Sequence, residues 1–198
     1  GVTHNASGDL TTTGVGTITV TATTGNIAMV DGTVYSTGSG TVSLTAATNI
    51  VLAEITTTSS TIGLTATAGS ITDTTGAETA NITSTATATL SAATGIGVSG
   101  SGNIDTTIGT LSATNSTSGD IFIAETNGLI VSAATTSLAN GNIDIRTAAG
   151  AFTVSGAVSA HGSGDVSLVA TGGLLTVNAA ISSTTGDISL TGGTGVTH

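Results

Sequence analysis

The sequence predicts an all-β fold: a right-handed parallel β-helix of about 8 to 9 coils, each of about 22 to 24 residues carrying three short strands. Three observations predict it. A five-residue pulse recurs along the chain: Gly, then Asp, Asn or Thr, then an aliphatic residue, any residue and a second aliphatic residue. Apolar and polar residues alternate inside the copies. Two longer segments, 150–159 and 173–182, superpose residue on residue at a shift of one period.

The pulse reads GTITV at 16–20, GTVSL at 40–44, a degenerate STIGL at 60–64, ATLSA at 88–92, GTLSA at 109–113, GDIFI at 119–123, GNIDI at 141–145, GDVSL at 164–168 and GDISL at 186–190. Steps of about 20 to 24 residues dominate, which marks a solenoid whose units bury their apolar faces only against their neighbours. In GTITVTA, Ile18 and Val20 face one way while Thr17, Thr19 and Thr21 face the other; in GDVSLVA, Val166 and Leu168 oppose Asp165 and Ser167. Period two with β-branched residues is the strand pattern, and no stretch carries a sustained helical stripe. GAFTVSGAVS lies over GLLTVNAAIS, so Phe152 stacks on Leu175, Val154 on Val177 and Val158 on Ile181. With the pulse upstream, that makes three inward-facing segments per turn, separated by Gly, Ala, Ser and Asn corners. Parallel crossovers are right-handed, and at roughly 4.8 Å per coil one repeat rises about 40 Å. The register is least determined at 65–87 and 109–140, where GTLSA and GDIFI crowd together well inside one period.

A longer period shows at the ends: GVTH occurs at 1–4 and again at 195–198, although His is rare in the chain. Run on into NASGDLTTTG, GDISLTGGTGVTH brings GTITV one coil after GDISL, in step with the rest. Residues 1–198 are therefore expected to be a single solenoid segment: one 194-residue repeat (195 − 1) of a tandem array, plus the first four residues of the next.

Composition narrows the function classes. There is no Cys, Pro or Trp, one Lys or Arg (Arg146), eleven Asp or Glu, and 29 Gly, with 38% hydrophobic residues. That apolar fraction separates the chain from disordered Gly/Ser-rich segments. Without cysteines the stability must come from the stacked core and the sheet. A net charge of −10 excludes nucleic acid and anionic membranes as expected partners, because both demand Lys and Arg. No apolar run approaches the roughly 20 residues that a membrane-spanning helix needs, so no membrane insertion is expected. With neither a starting Met nor a leader, the chain reads as part of a longer product.

The run ATLSAATGIGVSGSGNIDTTIGTLSATNSTSGDIFI at 88–123, with the GDISL, GDVSL and GNIDI units, resembles the repetitive shaft of the large filamentous-haemagglutinin-like adhesins exported by Gram-negative bacteria. The resemblance covers nearly the whole chain but has motif-level specificity only at 88–123. It implies a right-handed β-helix, an extracellular or cell-surface location, and a structural role as the shaft of an adhesin or surface fibre. The Asn-Pro motifs of the family's secretion domain have no counterpart in a chain without Pro.

Few residues invite a chemical role. Asp120, Asn142, Asp165 and Asp187 each follow a pulse Gly and should stack in a column about 4.8 Å apart. Calcium bridging Asp120, Asp165 and Asp187 is one expectation, and calcium is the only cofactor the sequence suggests; a solvated turn ladder without an ion is the other. The sequons NAS, NIT and NST make Asn5, Asn81 and Asn115 candidate glycosylation sites. His4 and His198, aligned with Val177, should point inward as hydrogen-bonded core or corner residues, and His161 should lie in a turn. Glu54, Glu78 and Glu125 are scattered and Arg146 is alone, while Tyr35, Phe122 and Phe152 lie far apart, so no enzyme is expected. The expected function is a stiff rod segment whose partners are neighbouring repeats joined head to tail, in one chain or by self-association. The alternative is an ice-binding or other ligand-binding face built on an outward ladder: Thr17, Thr19 and Thr21, then Thr41, Ser43 and Thr45, then Thr61 and Thr65. Against it, Phe122, Asp144 and Arg146 interrupt the ladder further on.

Overall fold

A computed structural model describes residues 1–73 and 80–198. The described chain contains no helix, and its strands pair in parallel as a right-handed β-solenoid of about eight turns. Alternation explains why these segments become strands. In Val42–Ala46 and Ile62–Ala66 every second side chain is buried, and the residues between them face outward.

In the first half of the chain each coil has three walls. The first is Val2–His4, Ile27–Met29, Ile50–Leu52 and Ile71–Asp73; the second is Leu10–Thr11, Val34–Thr37 and Glu54–Thr57; the third is the pulse strand, Ile18–Ala22, Val42–Ala46 and Ile62–Ala66. The core is a set of stacked columns. On the first wall one column runs the whole length of the molecule: Val2, Ile27, Ile50, Ile71, Ile96, Ile121, Ile143, Val166 and Ile188. Its steps are uneven, that from Ile50 to Ile71 being shorter than that from Val2 to Ile27, and the corners absorb the difference. The predicted stacks of Phe152 on Leu175, Val154 on Val177 and Val158 on Ile181 are present.

The middle of the chain departs from a single column of pulses. Ile82–Ala92 and Ile104–Asn115 are long strands that cover the second and third walls without a break. The next pulse, GDIFI, does not continue the third wall. Ile121 lies under Ile96 on the first wall, and Ile123–Glu125 lie under Ile104–Thr106. The third wall is continued instead by the later part of Leu129–Thr136, then by Val158–Ala160 and Ile181–Ser183. The short stretch between GTLSA and GDIFI is thus the passage from one wall to the next. In the second half the pulse strands Ile121–Glu125, Ile143–Thr147, Val166–Ala170 and Ile188–Gly192 occupy the first wall.

The pulse glycines are required by close stacking. A Cβ on Gly40, Gly141, Gly164 or Gly186 would run into the backbone carbonyl oxygen of Gly16, Gly119, Gly141 or Gly164 respectively, one coil away. Gly141 and Gly164 are not in the left-handed region; what excludes a side chain there is the neighbouring coil.

Buried polar groups seal the corners. Thr37 Oγ1 donates to the Gly40 carbonyl (2.6 Å), Thr136 Oγ1 to that of Gly141 (3.0 Å), and Asn115 Nδ2 to those of Ser118 (2.7 Å) and Gly119 (2.5 Å). Each occupies an inward position of its strand and satisfies a carbonyl where the chain turns away from the ladder.

Candidate functional site

The Asp and Asn that follow the pulse glycines do form a column. Asp120 Oδ1 accepts the Asn142 N–H (2.6 Å), Asn142 Oδ1 accepts the Asp165 N–H (2.8 Å), and Asp165 Oδ1 accepts the Asp187 N–H (2.8 Å). In each case the capped N–H belongs to the residue just before a first-wall strand, and the side chain of the coil above takes it, while the strand's own first N–H, at Ile143 and Val166, pairs with the coil below. Side chains also take the N–H of Ser70 (Asn49, 2.9 Å), Ser163 (Asn140, 3.1 Å) and Val34 (Asp9, 2.8 Å). Asn142 separates the carboxylates of Asp120 and Asp165. Among the described residues no group of three or more His, Cys, Asp or Glu converges as a metal cluster would require.

The three sequons differ in access. Asn5 is exposed. Asn81 and Asn115 are buried inside the coil, at 0% and 1% exposure. Asn81 Nδ2 donates to the Ala53 carbonyl (3.2 Å) and to Asp73 Oδ1 (3.1 Å), while its Oδ1 accepts the Asp105 N–H (2.9 Å). Both nitrogens that would carry sugar are spent on the corners.

His4 points inward as expected. Its ring meets Tyr35 edge-on, with centroids 5.3 Å apart, and Nδ1 lies 2.9 Å from the Gly8 carbonyl. His161 stands beside a turn, with Nδ1 3.2 Å from the Ala139 carbonyl; His198, expected to point inward, is exposed. Tyr35 and Phe152 are core residues and Phe122 is half-buried on the first wall, so they do not combine into a platform. Burial pushes the Tyr35 phenol up to about 12. Because the folded-state value lies above the ordinary one of 10.0, the stability tied to this group is intact below pH 10 and is lost as pH climbs through about 12. As the chain has one Tyr and no Trp, its ultraviolet phenolate band should stay absent at pH 10 and appear near 12, or on unfolding. Half-ionisation at pH 10 with the fold intact would contradict the burial.

The charged residues do not converge. Arg146 is paired: its guanidinium donates to both carboxylate oxygens of Asp144 (2.7 and 2.6 Å), on the outside of the first wall, and the pair raises its pKa further. Glu54 is half-buried on the second wall, and Glu78 lies outside the described residues. Glu125 is inside, at 2% exposure. Oε2 accepts the Thr106 hydroxyl (2.7 Å) and the Ile108 N–H (3.0 Å), and Oε1 accepts the Asn127 N–H (3.1 Å). Burial holds its carboxyl above the ordinary glutamate range, and these donors offset that only in part. Alternation could have revealed it, since Ile121, Ile123 and Glu125 share one parity.

Two outward surfaces carry uncharged hydroxyls. A groove of about 410 Å³ at the corner of the second and third walls is lined by Ser36, Thr56, Thr83 and Thr107, in register on successive coils, with Thr58 and Thr85 beside them. On the third wall the rows Thr17-Thr19-Thr21, Thr41-Ser43-Thr45, Thr61-Gly63-Thr65, Thr87-Thr89-Ser91 and Thr110-Ser112-Thr114 stack in register. One column then continues through Thr135, Ser159 and Ser182. Phe122, Asp144 and Arg146 do not interrupt this ladder, because they lie on the first wall. The expectation that they would rested on every pulse sharing one column, and the change of wall overturns it. No family model, curated protein or solved structure matches the chain.

Proposed function

We propose that this chain is a non-enzymatic, load-carrying segment of a long extracellular bacterial fibre or adhesin shaft. The observation that carries the reading is the unbroken column from Val2 to Ile188, with parallel pairing on every coil. Such a structure converts chain length into reach, each coil adding roughly 4.8 Å and eight turns about 40 Å. The surface location rests on the motif resemblance at 88–123.

The order of strands supports a head-to-tail array. Gly195–Thr197, the second GVTH, follows a pulse strand as a short strand on Leu174–Thr176. Val2–His4, the first GVTH, is a short strand followed by the short Leu10–Thr11 and then the pulse strand Ile18–Ala22. Joined, the two keep the order long, short, short. Residues 1–194 in tandem, twice, should give a single rod about 40 Å longer than one copy by small-angle scattering. Two independent beads on a flexible link would overturn the proposal.

A further inference from the structure

We infer that the outward face of the third wall is an ice-binding surface. Thr is a good strand residue, and if that alone explained the hydroxyls they would be spread over all walls alike. They are not. Outward positions of the first wall include Phe122, Asp144, Arg146 and Val169, whereas from Thr17 to Thr114 those of the third wall are Thr or Ser at every row, broken only by Gly63. None of these hydroxyls makes a side-chain hydrogen bond within the described chain, unlike Thr37 or Thr136 at the corners.

The grid is set by the backbone. Hydroxyls on neighbouring coils stand roughly 4.8 Å apart and alternate residues of one strand roughly 6.7 Å apart. Ice repeats its surface oxygens at two distances close to these. Each Thr presents a methyl beside its hydroxyl, so the face sheds disordered water while offering a hydrogen bond at each lattice point. Ladder pairing fixes the backbone, and β-branched Thr is stiff at χ1, so little ordering entropy remains to be lost on binding. From Thr17 to Thr114 the outward rows carry neither charge nor an aromatic ring, which disfavours an ionic ligand or a sugar that stacks.

The test uses the whole chain. Thermal hysteresis is expected at millimolar protein, with incorporation into a slowly grown ice front. Thr45→Lys and Thr89→Tyr, in separate rows of the grid, should each cut the hysteresis several-fold with unchanged Tm. Ser167→Lys, outward on the first wall, should leave it intact. Absence of hysteresis in the unaltered chain, or equal loss in all three variants, would overturn the inference and leave the rod reading untouched.

Discussion

Glu125→Ala is expected to destabilise the fold by about 3 kcal/mol or more, because it strands two backbone N–H groups and one hydroxyl inside the coil, each worth about 1–3 kcal/mol when buried without a partner. The cause is local geometry. Ile104–Asn115 rests on two strands of the next coil, with Thr106 over Glu125 and Thr110 over Ile130, and the chain turns at 126–128 between them. The residues above that turn have no ladder beneath them, and the Glu125 carboxylate supplies the missing acceptor for Ile108. Its pKa is raised, so the stability it contributes is fully present below the unfolded value and is lost as pH rises through the folded one. The gap in unfolding free energy between the natural chain and Glu125→Ala should therefore widen as pH falls from 7 toward the ordinary glutamate range near ~4.3. Chemical denaturation at several pH values measures it, and a gap that narrows on acidification would contradict the assignment. Comparing the two proteins also cancels the relief of net negative charge that both share.

Gly164→Ala should cost a comparable amount, about 3 kcal/mol, at the upper end of what overpacking costs. The added methyl meets backbone, the Gly141 carbonyl oxygen, and backbone held in a ladder on both sides cannot step away as a flexible side chain would. Gly63→Ala is the matched control. Nothing lies within 4 Å of a Cβ at that position, so its Tm should change little, or rise as the unfolded chain loses freedom. Equal Tm shifts for the two variants would mean that the coils are not stacked as closely as described.

Much of this was legible in the chain. Strand formation, inward and outward parity, the stacks of Phe152 on Leu175 and Val158 on Ile181, the column of Asp120, Asn142, Asp165 and Asp187, and the inward aim of His4 all follow from short periods. Periodicity within one turn reports local geometry, which a strand fixes through its own backbone. The roles of Asn81, Asn115 and Glu125 were harder to read. Polar residues in a Thr- and Ser-rich chain look like surface, and only the position of the corner shows that each faces an unpaired group.

The short period alone dictates the repeating unit: a parallel coil with apolar residues inside and a glycine at the corner. Which wall each unit joins is settled only once the coils stack. The pulses GTLSA and GDIFI look like one column with a slip, yet they lie on different walls, because pairing depends on how many residues each corner uses and not on the motif that follows it. That choice moves the pulse strand from the third wall to the first, opens the gap that Glu125 fills, and keeps Phe122, Asp144 and Arg146 off the third wall's hydroxyl rows. Local patterns repeat identically on every wall, so only the coil above and the coil below can tell one wall from another.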